Sequence, residues 1–156
     1  MKKIPIAGLR QALRFSQIEV LALAGGTPAL ARVLGPLAES GINLEFISFH
    51  GEPMVPPNLI LGVHRNQVAA TLGLLKGKKE EGRFLEIRCR EPAGMISLFP
   101  HRNRPEVVGN FLAAFRQAEV EIWSLGFSLS ALSALGEESR IPRALNALSD
   151  FFELAG

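Results

Sequence analysis

The chain has 156 residues, 47% of them hydrophobic and 21% charged, a balance that builds a core and excludes a disordered chain. Seventeen basic and 15 acidic residues leave a formal charge of +2, split as 12 basic and 7 acidic up to Arg90, then 5 and 8. Neither portion has the basic density of a nucleic-acid domain, and a single cysteine, Cys89, excludes an internal disulfide framework or a cysteine-rich zinc site.

In chain order, Ile4 to Leu9 reads as a short strand and Val20 to Ala24 as another. The run Met1 to Arg10 is too short an apolar stretch for a secretion signal. The apolar stretch Val20 to Ala38 is broken by Gly25-Gly26-Thr27-Pro28 and Arg32, so no membrane span is expected there. A cytoplasmic location follows as the expectation. From Pro28 to Ser40, Leu30, Val33, Leu34 and Leu37 have the i, i+3, i+4, i+7 spacing of one helix face. Thr27 suits a cap, Pro28 a first-turn position and Gly41 a stop. Ile42, Leu44 and Phe46 then alternate as a half-buried strand. Gly51 to Asn58, with three prolines and Met54 and Val55 at its tip, reads as a stiffened connecting loop. Leu59 to Val63 reads as a strand. A second helix uses Val68, Leu72 and Leu75, with Asn66 as a candidate cap. Lys76 to Arg83 reads as a solvated turn, and Phe84 to Cys89 as a closing strand with Cys89 packed.

The series then repeats. Met95 to Phe99 reads as a strand, and Pro105 to Ala118 as a helix using Val108, Phe111, Leu112 and Phe115. Adding 78 to each apolar position of the first helix gives this second set, and the same step takes Ile42 and Leu44 to Val120 and Ile122. Leu129 to Leu135 reads as a further strand. A last helix uses Leu145, Leu148 and Phe152, with Ser139 as a candidate cap. No closing strand is expected after it, so Ile4 to Leu9 is expected to cross over and complete the second sheet; the alternative is a three-stranded second sheet with the first ten residues frayed. Strand–helix–strand–strand–helix–strand is the split βαβ, ferredoxin-like order. The fold expected is α+β: two such units packed side by side, the first over 10–90 and the second over 91–156 with strand 4–9. Units of this size have little core of their own, which favours pairing of units or chains.

The run from Val20 through Pro28 to Val33-Leu34, followed by Leu37-Ala38-Glu39-Ser40-Gly41-Ile42-Asn43-Leu44, resembles an ACT domain. The second half resembles the second ACT unit of an aspartokinase regulatory region, through Ile96-Ser97-Leu98-Phe99, Arg104-Pro105-Glu106-Val107-Val108, Val120-Glu121-Ile122, Ser128 to Ser133 and Pro142-Arg143-Ala144-Leu145. In that family the leading strand completes the second unit. Where the family has Pro-Gly, this chain has Pro28-Ala29 and Pro105-Glu106, and where aspartokinases place Gln-Asn it has Phe49-His50. No kinase motif or phosphate loop is present in the sequence, so no catalysis is expected.

The resemblance implies a cytoplasmic, non-catalytic allosteric module that binds a small amino acid at an ACT–ACT interface, as a homodimer, and signals to a partner enzyme or through an assembly change. It implies ligand-facing positions Gly26, Thr27, Pro28, Ala29 and Leu30 at a helix start, where free backbone N–H groups and the dipole suit a carboxylate. Asn43 and Glu45 are their expected partners, Glu45 accepting the amino group. The basic loop His101, Arg102, Arg104 is a candidate surface for an anion or acidic partner. No cofactor and no metal are expected, because His50, His64 and His101 lack metal spacing; His50 and His64 flank adjoining strands, and all three histidines are expected at the surface. Two other readings compete: a ligand-free assembly module pairing through sheet edges, and a regulatory subunit of an aspartokinase. RNA binding lacks the stacking aromatics it requires, since there is no tyrosine. No membrane or nucleic-acid partner is expected. Trp123 is read as core or interface.

Overall fold

The computed structural model describes residues 2–52 and 54–154. Among them the chain forms β1 (Ile4–Ile6), β2 (Gly8–Leu21), α1 (Gly26–Glu39), β3 (Leu44–Glu52), β4 (Val55–His64) and α2 (Val68–Glu80). It continues through β5 (Glu86–Phe99), α3 (Pro105–Gln117), β6 (Ser124–Phe127), β7 (Leu132–Glu137), α4 (Ile141–Phe151) and β8 (Phe152–Leu154). Single 3-10 turns, Arg65–Gln67 and Glu138–Arg140, lead into α2 and α4. The chain divides into two compact units, Phe15–Glu91 and Met1–Arg14 with Pro92–Gly156.

In the unit Phe15–Glu91 the strands lie in the order β3-β4-β2-β5, the order of a ferredoxin-like sheet. β2 and β3 both run antiparallel to β4, with Ile18 opposite Leu61 and Ile47 opposite the same Leu61. The core joins Ile18 and Val20 of β2, Leu59, Leu61 and Val63 of β4, Ala29, Val33 and Leu37 of α1, and Val68 and Leu75 of α2. The other unit has β5-β7-β6 in sequence, and the neighbour of β5 on its far side is β2. β2 therefore stands where a fourth strand belongs. Its core joins Ile96 and Leu98 of β5, Val107, Phe111 and Phe115 of α3, Leu132 and Ala134 of β7, Leu148 of α4, and also Ile4 and Ile6 of β1. The architecture is thus two ACT-like ferredoxin units, with N-terminal residues completing the second; the sheet strand is β2 from Gly8, whereas Ile4–Ile6, expected in that sheet, pair with β8 in a separate two-stranded one.

The repeat is visible in the packing. Ala29, Val33, Leu37 and Ile42 are buried, and so are Val107, Phe111, Phe115 and Val120, each 78 positions on. The expected stripe at Leu30, Val33, Leu34 and Leu37 is rotated slightly: Leu30 and Leu34 are only half-buried, and Leu112 is exposed. Both helices end in the same way. After α1, Gly41 N–H donates to Ala38 O and Ile42 N–H to Leu37 O, both at 3.0 Å. After α3, Glu119 N–H donates to Arg116 O at 3.0 Å and Val120 N–H to Phe115 O at 2.9 Å. This is the Schellman pattern, with its apolar contact between the residues closing the outer bond. The left-handed position is Gly41 (φ 68°) in the first copy and Glu119 (φ 55°) in the second.

Several expectations are corrected. Phe84 to Cys89 and Met95 to Phe99 are not two strands: Glu86–Phe99 is one, β5. Arg88 to Pro92 are all exposed, so the alternation that marks a strand is missing between them. The same holds for β2, where Arg10, Gln11, Leu13 and Arg14 are exposed and the strand runs on from Gly8 to Leu21. A closing strand does follow the last helix. Phe152 leaves α4 and β8 pairs parallel with β1, Ile4 opposite Phe152 and Ile6 opposite Leu154. The expected loop over 51–58 is a tight hairpin in which Glu52 pairs with Val55; Pro56 and Pro57 belong to β4, and Pro53 lies outside the described residues. Leu129 is exposed in a turn, and β7 starts only at Leu132. Lys76 to Glu80 are the last turn of α2, closed by Gly82 at φ 74°. Thr27, Asn66 and Ser139 are not the helix caps: Gly25, Gln67 and Arg140 hold those positions, without side-chain cap bonds.

One glycine is fixed by close approach. A Cβ on Gly8 would lie 2.5 Å from the Phe99 ring, beside the Ala7 N–H bond to Phe99 O at 3.0 Å.

A non-glycine residue in the left-handed region carries a cost that glycine avoids. Glu119→Gly is expected to raise unfolding stability by about 1 kcal/mol, and Gly41→Ala to lower it by a similar amount. Urea denaturation of the two variants checks the sign of each.

Candidate functional site

The start of α1 is an open helix end. Gly25 precedes it in a left-handed conformation (φ 99°), Gly26 follows at φ 60°, and no side chain caps the first turn. Gly26, Thr27 and Pro28 are exposed, Ala29 is buried, and Leu30 is half-buried against the core of its unit. The glycines are needed where the chain turns from β2 into the helix. Here the positive end of the helix dipole and first-turn N–H groups face outward. A cleft of about 320 Å3 lies beside it, lined by Gly25, Gly26, Leu23, Glu52, Val55 and Met54 among others. Glu52, at the end of β3, is thus the carboxylate that this unit brings to the helix start. In the sequence Glu52 sits in the expected loop Gly51 to Asn58, with no local signal of this role.

Asn43 and Glu45 lie past the opposite end of the helix. Fourteen residues of α-helix span about 21 Å. Within one unit, therefore, the fold does not bring Asn43 and Glu45 to Gly26–Leu30. Both are exposed. Glu45 occupies an irregularity in the β3–β4 ladder, between Leu44 opposite Val63 and Phe46 opposite Gly62. Such a bulge re-aims a side chain on an edge strand. The turn at Asn43 is held by Gln67, whose Nε2 donates to Gly41 O and whose Oε1 accepts from Asn43 N–H, both at 3.2 Å. No sequence signal pointed to Gln67; only the fold places the entry to α2 beside the exit of α1.

The basic loop is not a row of three cations. His101 is fully buried, its ring 3.9 Å from that of Phe127. Its Nδ1 accepts from Asn103 N–H at 3.0 Å, so Nε2 is the nitrogen that donates, to Ser128 O at 2.6 Å. His101 is a structural imidazole that ties the loop before α3 to the turn after β6. The sequence suggested a surface histidine because Arg102, Asn103 and Arg104 follow it. Arg102 and Arg104 are exposed, and Arg104 pairs with Glu106. His50 is exposed near Glu52, at 3.8 Å, and sits opposite Asn58; His64 lies at the far end of β4, bonded to Asn66 at 2.7 Å. The two histidines are therefore not neighbours. Among the described residues, no three His, Cys, Asp or Glu side chains are grouped to hold a metal.

Cys89 lies inside β5 and is exposed, contrary to the packed position expected. Partial burial, with the Glu91 charge adding to it, pushes the thiol above its usual value and disfavours the reactive thiolate. Trp123 precedes β6 and is half-buried, lining a cleft with Glu119, Glu121, Glu137 and Arg140. The Ser139 hydroxyl on Glu137, with Arg140 beside it, holds that carboxyl below its ordinary range. No described helix is long and apolar enough to cross a membrane.

No protein-family model matches the chain, and no curated protein matches it significantly. Solved structures do. The regulatory subunit of aspartate kinase from Thermus flavus superposes with a TM-score of 0.85 at 21% identity, over 96% of this chain and 100% of that one. Aspartate kinase from Synechocystis gives a TM-score of 0.86 at 18% identity, covering 97% of this chain and 27% of that one. E. coli aspartokinase III in complex with lysine and aspartate gives 0.69 at 19% identity, over 96% of this chain and 34% of that one. In fold, then, the chain is similar to the regulatory subunits and regulatory domains of aspartate kinases across almost its whole length.

The buried, doubly bonded ring of His101 generates a stability prediction. His101→Ala removes a packed ring and leaves the Ser128 carbonyl and Asn103 N–H without their partner. The expected loss is about 2–4 kcal/mol, read as a lower urea midpoint at unchanged slope.

Proposed function

We propose that the chain is a non-catalytic regulatory module that binds a small amino acid and passes that binding to a partner enzyme. The observation that carries the reading is the likeness to aspartate kinase regulatory subunits, which runs through both units rather than one. That an aspartokinase in this group of folds is seen with lysine and aspartate supports an amino acid as the ligand class. The local chemistry is compatible. The α1 start offers backbone N–H groups to a carboxylate. Asn43 and Glu45 offer acceptors for an ammonium group. The two sets are separated by the length of α1, so the site on this reading is shared between the α1 start of one copy and the β3 start of a second, in a homodimer. Binding acts by favouring one arrangement of the copies over another, and only to the extent of its different affinity for the two. A partner kinase chain would respond to that arrangement.

A second reading, assembly without a ligand, is favoured by one feature. From Trp123 to Gly136 there is no charged residue. This stretch holds the edge strand β6, whose neighbourhood exposes Leu125, Phe127 and Leu129. The other edge strand, β3, carries two irregularities together with Glu45, His50 and Glu52, the usual protection of a free edge. β6 has no such protection and is suited to pairing.

A thermal-shift screen of the proteinogenic amino acids separates the readings. At about 100 times Kd, one amino acid should stabilise the chain by about 2.7 kcal/mol, and Asn43→Ala should abolish most of that gain. A null screen, or a shift that Asn43→Ala leaves undiminished, removes the amino-acid site as placed. For the assembly role, Leu125→Lys is expected to lower the mass measured by light scattering to that of one chain; an unchanged dimer mass places the pairing elsewhere.

A further inference from the structure

The amino-acid reading leaves the basic residues before α3 unused, and the fold adds to them. A cleft of about 230 Å3 is lined by Lys2, Lys3, Ile4, Pro5, Arg104 and Glu106. Two distant chain segments meet there. Lys2 and Lys3 arrive because β1 is held by β8, and Ile4 is buried in the core beneath. Arg104 is fixed because its N–H donates to His101 O at 3.0 Å, and His101 is itself locked. Three basic residues therefore line one cleft with a single acidic residue, Glu106, which Arg104 already engages. Lys2 and Lys3 are exposed and have no ion-pair partner among the described residues. The cluster sits at the positive end of the α3 dipole, where further positive charge is unfavourable unless an anion is present.

We propose that this cleft binds a small polyanion bearing a phosphoryl or pyrophosphoryl group, with Lys2, Lys3 and Arg104 as its cations. The arrangement matches that chemistry. Arg104 presents a planar fork to two oxygens of one group, while the lysines act as mobile point charges. The cleft volume suits a compact anion rather than an extended acidic peptide. Glu106 then serves as a gate: the anion takes Arg104 from it. The site stands apart from the amino-acid reading and would remain if that reading failed.

The test uses the full chain with pyrophosphate, inorganic phosphate and a hexaglutamate peptide, each compared with sodium chloride at equal ionic strength. Pyrophosphate is expected to raise the melting temperature and to bind by calorimetry, more weakly as salt is added. The Lys2→Ala/Lys3→Ala double variant should weaken that affinity about tenfold or more while leaving the ligand-free melting temperature equal or higher, because like charges have been removed. These are exposed positions, so the fold is not at risk, and circular dichroism confirms it. Arg104→Gln should weaken the same binding. A melting temperature that responds only to ionic strength overturns the proposal, as does pyrophosphate binding that survives in the double variant. Binding of hexaglutamate without pyrophosphate overturns it in favour of an acidic protein partner.

Discussion

The unit containing Pro92–Gly156 does not close on its own residues. Its sheet has three strands from that stretch, and its core has a gap that Ile4 and Ile6 fill from the other end of the chain. A ferredoxin-like unit of this size buries too little apolar surface to tolerate a missing strand. The requirement is met by β2 lying beside β5, close enough that Gly8 accepts the Phe99 ring only because it has no Cβ. Much else in this unit follows. The placement of β1 beside β8, the anchoring of Lys2 and Lys3 near α3, and the long, uninterrupted courses of β2 and β5 all depend on that crossover.

The α1 helix exerts the second constraint. It is a spacer between two polar regions, one a backbone turn of glycines and one a bulged edge strand. A ligand-sized molecule does not bridge about 21 Å, so chemistry assigned jointly to both regions has to come from different copies. Within the unit, Glu52 is the carboxylate that lines the cleft beside the glycine turn. The contrast between the repeats is informative here. The first copy opens its helix with Gly25-Gly26, exposed; the second uses Asn103-Arg104 and a loop pinned by a buried imidazole. In the first unit the turn before the helix is glycine backbone; in the second, the loop is tied by His101 to Ser128 and Asn103.

The repeat, the helix faces and the crossover were legible because burial writes a period into the sequence. Val33 and Phe111, or Ile42 and Val120, occupy equal places in equal cores and so recur at a fixed spacing. Strand segments that lie exposed on both faces write no such period, which is why Arg90, Glu91 and Pro92 fall outside both expected strands. His101 was misread for a related reason. Its burial depends on Phe127 and Ser128, far along the chain, whereas Arg102, Asn103 and Arg104 beside it give the opposite impression. Gln67, Glu52 and the approach of Lys2 and Lys3 to Arg104 are products of topology alone, and no local spacing encodes them. Thr27, Asn66 and Ser139 are residue types that favour caps on average, yet none holds the position here. In the fold, backbone turns and 3-10 entries took the role instead.

The parallel pairing of Ile4–Ile6 with Phe152–Leu154 also sets an order of events in synthesis. The segment preceding Phe15 leaves the ribosome before the unit Phe15–Glu91, yet its partners follow that unit. At bacterial-like elongation rates of roughly 5–20 residues per second, Ile4 and Ile6 wait several seconds or more for Phe152. During that interval the intervening unit has all its own strands, while the leading segment holds two large apolar side chains with nothing to cover them. Contacts between such distant positions are also the slowest to form. The nascent chain is thus exposed to mispairing at its first strand, and two lysines immediately before Ile4 keep that waiting segment charged.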